Sequence, residues 1–138
     1  LGDKYIANPV TVGQKIRNKR LELRMLQKDV AGMIGVTEAA ISIWETDAAK
    51  PEVCHYPKIA LFLGYLPFEG ETTTLAGKLL YYQHMRGITQ KELADQLGVN
   101  PSTLYHFGTG KHMPSPKVRM KLESILSILM EGRAYKIV

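Results

Sequence analysis

With 138 residues and 45% apolar side chains, the chain can bury one core, or two small ones, without disulfide or metal staples. Its single cysteine, Cys54, excludes an intrachain disulfide and any cysteine-rich zinc cluster, and reads as a reducing, cytoplasmic setting; no apolar run approaches the roughly 18 residues of a membrane span. Eighteen Lys and Arg against 13 Asp and Glu give a formal charge of +5, a bias toward a polyanionic partner.

Residues 1–10 lack the charged and apolar regions of a signal peptide and read as a short N-terminal tail. Helical periodicity then predicts short helices over Thr11–Arg24, Gln27–Ile34, Glu38–Thr46 and, beyond Pro51, Pro57–Leu63. Residues 65–74, with Pro67, Gly70 and three threonines, read as a linker, although Tyr65, Leu66 and Phe68 imply that it packs against something. Further helices are predicted over Leu75–Arg86, Gln90–Leu97 and Pro101–Thr109, and a longer one over Pro116–Glu131 with Ser115 as its cap. No segment alternates like a strand, so the predicted fold class is all-α.

The chain repeats itself at an offset of 63 without a gap. Gln27, Lys28, Ala31, Gly35 and Val36 recur as Gln90, Lys91, Ala94, Gly98 and Val99; Asp29, Val30 and Ile34 recur as Glu92, Leu93 and Leu97. The offset also pairs Lys15 with Lys78, Ile41 with Leu104, Trp44 with Phe107, Thr46 with Thr109 and Pro51 with Pro114. The expected organisation is therefore two copies of one unit, 11–64 and 75–138. The first carries 8 basic and 6 acidic side chains, and the second 9 and 4.

Two short helices crossing through a tight turn need a small residue at their closest approach, a residue tolerant of positive φ in the turn, and an apolar pair on the second helix. Ala31, Gly35 and Ile41/Trp44 meet those demands, and Ala94, Gly98 and Leu104/Phe107 meet them again at the same spacing. Trp44 and Phe107 therefore read as core rather than as stacking platforms.

The segments Gln27–Ala31, Gly35–Thr37 and Ile41–Glu45, and Arg86–Ala94 with Leu97–Leu104, resemble the phage repressor and Cro type (Xre-like) of helix-turn-helix, in two tandem copies. The resemblance implies two lambda-repressor-like units of about five short helices each, with helices 38–46 and 101–109 entering the DNA major groove. Two positions depart from the pattern: Phe107-Gly108 stands where Trp-Glu is usual, and Leu26 where a polar cap such as Thr89 is expected.

Recognition helices read bases with the N-terminal residues that the core does not claim. Those are Thr37, Glu38, Ala39, Ser42 and Ile43 in the first unit, and Asn100, Pro101, Ser102, Tyr105 and His106 in the second. By analogy with the family, Gln27 and Gln90 open a helix against the backbone, and Lys28, Thr46, Lys91, Thr109 and Lys111 are further phosphate candidates. The plainer alternatives are that Asn100 only caps a helix and that the lysines are merely solvated.

The expected function is sequence-specific binding of double-stranded DNA in transcriptional control, by one chain with two recognition helices or by a homodimer on a palindromic site. The alternative is a protein interaction module, or an antitoxin-like partner-binding protein, because the first reading face lacks Arg, Lys, Gln and Asn. An enzyme is not expected: His55, His84, His106 and His112 form no recognisable triad, and no glycine-rich phosphate loop is present. No cofactor or metal is expected either, since Cys54 beside His55 lacks two further ligands. No small-molecule effector segment is evident.

Overall fold

The computed structural model describes residues 5–130, so residues 1–4 of the tail and Glu131 of the last expected helix lie outside the described residues. Among the described residues the chain is all-α, with eight α-helices and no strand. Its contacts divide it into two compact units, Leu1–Pro67 and Phe68–Val138.

The first unit contains α1 (Val12–Glu22), α2 (Gln27–Ile34), α3 (Glu38–Glu45) and α4 (Tyr56–Leu63), with a 3-10 turn at Val53–His55. Thr11 starts α1 with a reciprocal cap: its hydroxyl accepts from Gln14 N–H while the Gln14 side chain accepts from Thr11 N–H. Leu26 can offer no such cap to α2. The Asp29 carboxylate accepts from Leu26 N–H at 2.9 Å instead, holding the helix start from inside and complementing its dipole.

Ile16, Val30, Ile34, Ile41, Trp44 and Ile59 are buried together, and burying each such side chain stabilises the unit by roughly 1.5–3 kcal/mol. Gly13 permits the closest approach. A Cβ built there would lie 1.7 Å from the Trp44 carbonyl oxygen, so only glycine lets α1 meet the end of α3.

The second unit contains α5 (Leu75–Arg86), α6 (Gln90–Leu97), α7 (Pro101–Thr109) and α8 (Pro116–Met130). Leu79, Leu93, Leu97, Leu104 and Phe107 are buried with Val118, Leu122 and Ile125 of α8. The local structure follows the 63-residue offset closely. After each of the first three helices a left-handed residue follows, Arg24, Gly35 and Asp47 in one unit and Gly87, Gly98 and Gly110 in the other; Gly64 adds one more after α4. Glycine takes this conformation without strain, whereas Arg24 and Asp47 adopt it at a cost.

Candidate nucleic-acid interface

In the second unit α6 runs from its capped start at Thr89 to Gly98, whose φ of 74° turns the chain into α7. Ala94, fully buried, sits where the two helices approach, and Leu104 and Phe107 face inward. The residues left outward on α7 are the sequence candidates Pro101, Ser102 and Tyr105. Tyr105 is 60% exposed.

Asn100 is a cap. Its Oδ1 accepts from the Thr103 amide at 2.9 Å and from the hydroxyls of Ser102 and Thr103 at 2.7 and 2.9 Å. The carbonyl end of Asn100 is thus committed to the cap, which leaves its amide Nδ2 as the other polar end of the side chain. Ser102 retains lone pairs but donates its hydroxyl to Asn100. Thr109 turns its hydroxyl back onto the His106 carbonyl at 3.1 Å, and Thr46 does the same to Ser42 at 3.0 Å, so neither phosphate candidate presents a free donor.

His106 lies between two rings, with centroids 5.5 Å from Tyr105 and 5.0 Å from His112. Its Nδ1 is buried without a hydrogen-bond partner. Desolvation, then the neighbouring Lys111 and His112, lower its pKa below the ordinary imidazole value. Because the folded form resists the proton that the unfolded chain accepts, the second unit should lose stability as pH falls from about 6.5 through the lowered value. Thermal unfolding at pH 7.5 and 5.5 checks this, and His106→Gln should flatten the difference.

The first unit presents a different surface at the matching positions. Thr37 caps α3 by accepting from Ala40 N–H at 3.1 Å. Glu38 and Ala39 are exposed, Ser42 is half-buried, and Ile43 is 44% exposed. The Thr11 hydroxyl donates to Asp47 at 2.7 Å, leaving an acidic residue just beyond α3 where Gly110 stands in the second unit.

A buried ion pair lies beneath that surface, and sequence patterning had not shown it. Arg20 donates from Nε and Nη2 to the two Glu45 oxygens, each at 2.7 Å, and from Nη1 to the Met25 carbonyl at 3.2 Å. The hydrogen bond to Glu45 raises the guanidinium pKa further above its ordinary value, against the lowering effect of burial. Gln27 joins this cluster, donating to Glu45 Oε1 at 3.2 Å. The available signal was the spacing of four from Ile16 to Arg20, which puts a cation on the inward side of α1.

The second unit lacks this cluster. Gln83 and Gly108 replace Arg20 and Glu45 and, with Gln90, they line an open groove of about 320 Å³ between α5, α6 and α7. Gln90 is exposed and makes only a 3.4 Å contact with the Pro101 carbonyl. Of the two helix-opening glutamines, it is therefore the exposed one. Lys28, Lys91 and Lys111 are all exposed.

Asn18 is buried and clasps the segment before α1, accepting from Ile6 N–H at 2.9 Å and donating to its carbonyl at 2.6 Å. Phe68 performs the matching task in the second unit by packing edge-on against Tyr81, 5.1 Å away. Among the described residues no helix is long and apolar enough to cross a membrane.

A family model described as helix-turn-helix matches residues 82–129, from within α5 to the end of α8. A protein named as an uncharacterized HTH-type transcriptional regulator, from Methanocaldococcus jannaschii, is 33% identical over 57 residues, which is 41% of this chain and 86% of that protein. The relative is thus about as long as one of the two units. No solved structure gives a significant match.

Proposed function

Because the chain belongs to the helix-turn-helix family, we propose that it binds duplex DNA without catalysis and regulates transcription, with α7 as its principal recognition helix. The observation that carries this reading is the α6–turn–α7 element inside the matched segment, whose outward Ser102 and Tyr105 are polar and not claimed by the core. In this reading Asn100, Ser102 and Tyr105 face base edges, half-buried His106 backs Tyr105, and Gln90, Lys91 and Lys111 hold phosphates. Arg119, exposed on α8, adds to the basic character of the second unit.

The first unit is, in the same proposal, a second copy of the fold whose α3 reads DNA weakly. Glu38 and Asp47 oppose phosphates, and Ala39 and Ile43 offer no hydrogen bond. Its exposed apolar and acidic surface favours contact with a protein, either a partner or a second copy of the chain, over base readout.

Selection of bound duplexes from a random library, followed by titration at several salt concentrations, tests the whole reading. Lys111→Ala should weaken binding to all sequences alike and lower the salt slope by roughly one unit. Binding that ignores both sequence and salt would remove the proposal. Stoichiometry on one selected duplex decides between a single chain and a homodimer.

A further inference from the structure

We propose that Glu52, Cys54 and His55 form a binding site for a thiophilic divalent cation of the Zn²⁺ type, with three protein ligands and one open position. Besides the adjacent thiol and imidazole, the turn of the backbone brings up a third donor, the Glu52 carboxylate. Pro51 is buried, Glu52 starts the 3-10 turn, and His55 N–H closes that turn on the Glu52 carbonyl at 3.0 Å. This winding puts a carboxylate oxygen, the thiol sulfur and an imidazole nitrogen all within 4.8 Å of one another.

Zinc bonds of about 2.3 Å to sulfur and 2.0–2.2 Å to nitrogen and oxygen require ligand atoms roughly 3.3–3.8 Å apart. Closing the remaining gap takes side-chain rotation only, because Glu52 and Cys54 are both exposed. His55 is the fixed member: it is half-buried, with its ring 5.5 Å from the buried indole of Trp44. One sulfur, one nitrogen and one oxygen suit a borderline-soft ion and not magnesium or calcium, which take oxygen ligands. As the metal binds, the Cys54 thiol gives its proton to solvent and the sulfur coordinates as thiolate.

The site belongs to the first unit alone. At the 63-residue offset its ligands become Ser115, Lys117 and Val118, which cannot replace it. Since His55 rests on Trp44 and directly precedes α4, a bound ion would tie the α3–α4 connection to the core of the first unit.

The test uses the full chain without an affinity tag, kept reduced and titrated with Co²⁺. We expect one equivalent to produce a near-ultraviolet sulfur-to-cobalt charge-transfer band that Zn²⁺ then abolishes. Cys54→Ser should remove the band, and Glu52→Gln and His55→Ala should each weaken Zn²⁺ binding by about tenfold or more. Circular dichroism confirms that each variant still folds. Absence of the band, Zn²⁺ affinity unchanged by Cys54→Ser, or a band insensitive to both other substitutions would overturn the proposal.

Discussion

Replacing Glu45 by alanine should destabilise the first unit by about 3–5 kcal/mol, the cost of leaving a buried cation without its partner. Arg20 is only 13% exposed and Glu45 not at all, so water cannot take over from the lost carboxylate. Gln27 would lose its acceptor at the same time. The chain's single tryptophan is Trp44, the neighbour of Glu45, so its fluorescence during denaturant unfolding reports the first unit selectively. Replacing both partners by apolar residues, Arg20→Met with Glu45→Leu, should recover most of the loss, because the penalty lies in the unpaired charge. A loss under about 1 kcal/mol for Glu45→Ala would mean that the pair behaves like an exposed one.

The second unit does without such a pair at the matching positions. Gly108 stands where Glu45 stands in the first unit, and a Cβ placed there would lie 3.0 Å from the Ala76 Cβ. The first unit keeps its close approach with Gly13 on α1 and carries the long acid on α3; in the second, the glycine has moved to α7. Phe107-Gly108, an exception to the family pattern, is therefore a different packing solution at the same helix crossing. Restoring glutamate at 108 would not by itself rebuild the ion pair.

These two crossings show where sequence reading succeeds and where it stops. The helix spans, the turn glycines at 35 and 98 and the inward faces of α3 and α7 were legible because they follow from period, spacing and backbone tolerance. Arg24 and Asp47 were not legible as left-handed residues, since nothing in their chemistry requires that conformation. It emerges only where each side chain is aligned with Gly87 or Gly110 in the other unit. The Arg20–Glu45–Gln27 cluster escaped because surface-type residues at helical spacing are normally solvated. It also ties half-buried Gln27 to Glu45, while Gln90, at the 63-residue offset, is exposed.

That difference bears on which unit would read DNA, and removing the Tyr105 side chain should cost on the order of 1–3 kcal/mol of affinity at the preferred duplex. Tyr105 is 60% exposed in the middle of α7, with a hydroxyl that can both donate and accept. Its counterpart at the 63-residue offset is Ser42, half-buried and with a much shorter side chain. Ser42→Ala should therefore be nearly silent. The flanking positions lean the same way: Asn100 offers Nδ2 where Thr37 has only a capping hydroxyl, and Lys111 stands where the first unit has Ala48. If Tyr105 contacts a base rather than a phosphate, Tyr105→Ala should also flatten the sequence preference while leaving the salt slope unchanged, the reverse of Lys111→Ala. Quantitative titration of the three variants on the selected duplex and on a scrambled one separates the two roles. Equal losses from Ser42→Ala and Tyr105→Ala would show that α3 reads DNA as strongly as α7, and the asymmetry between the units would have to be given up.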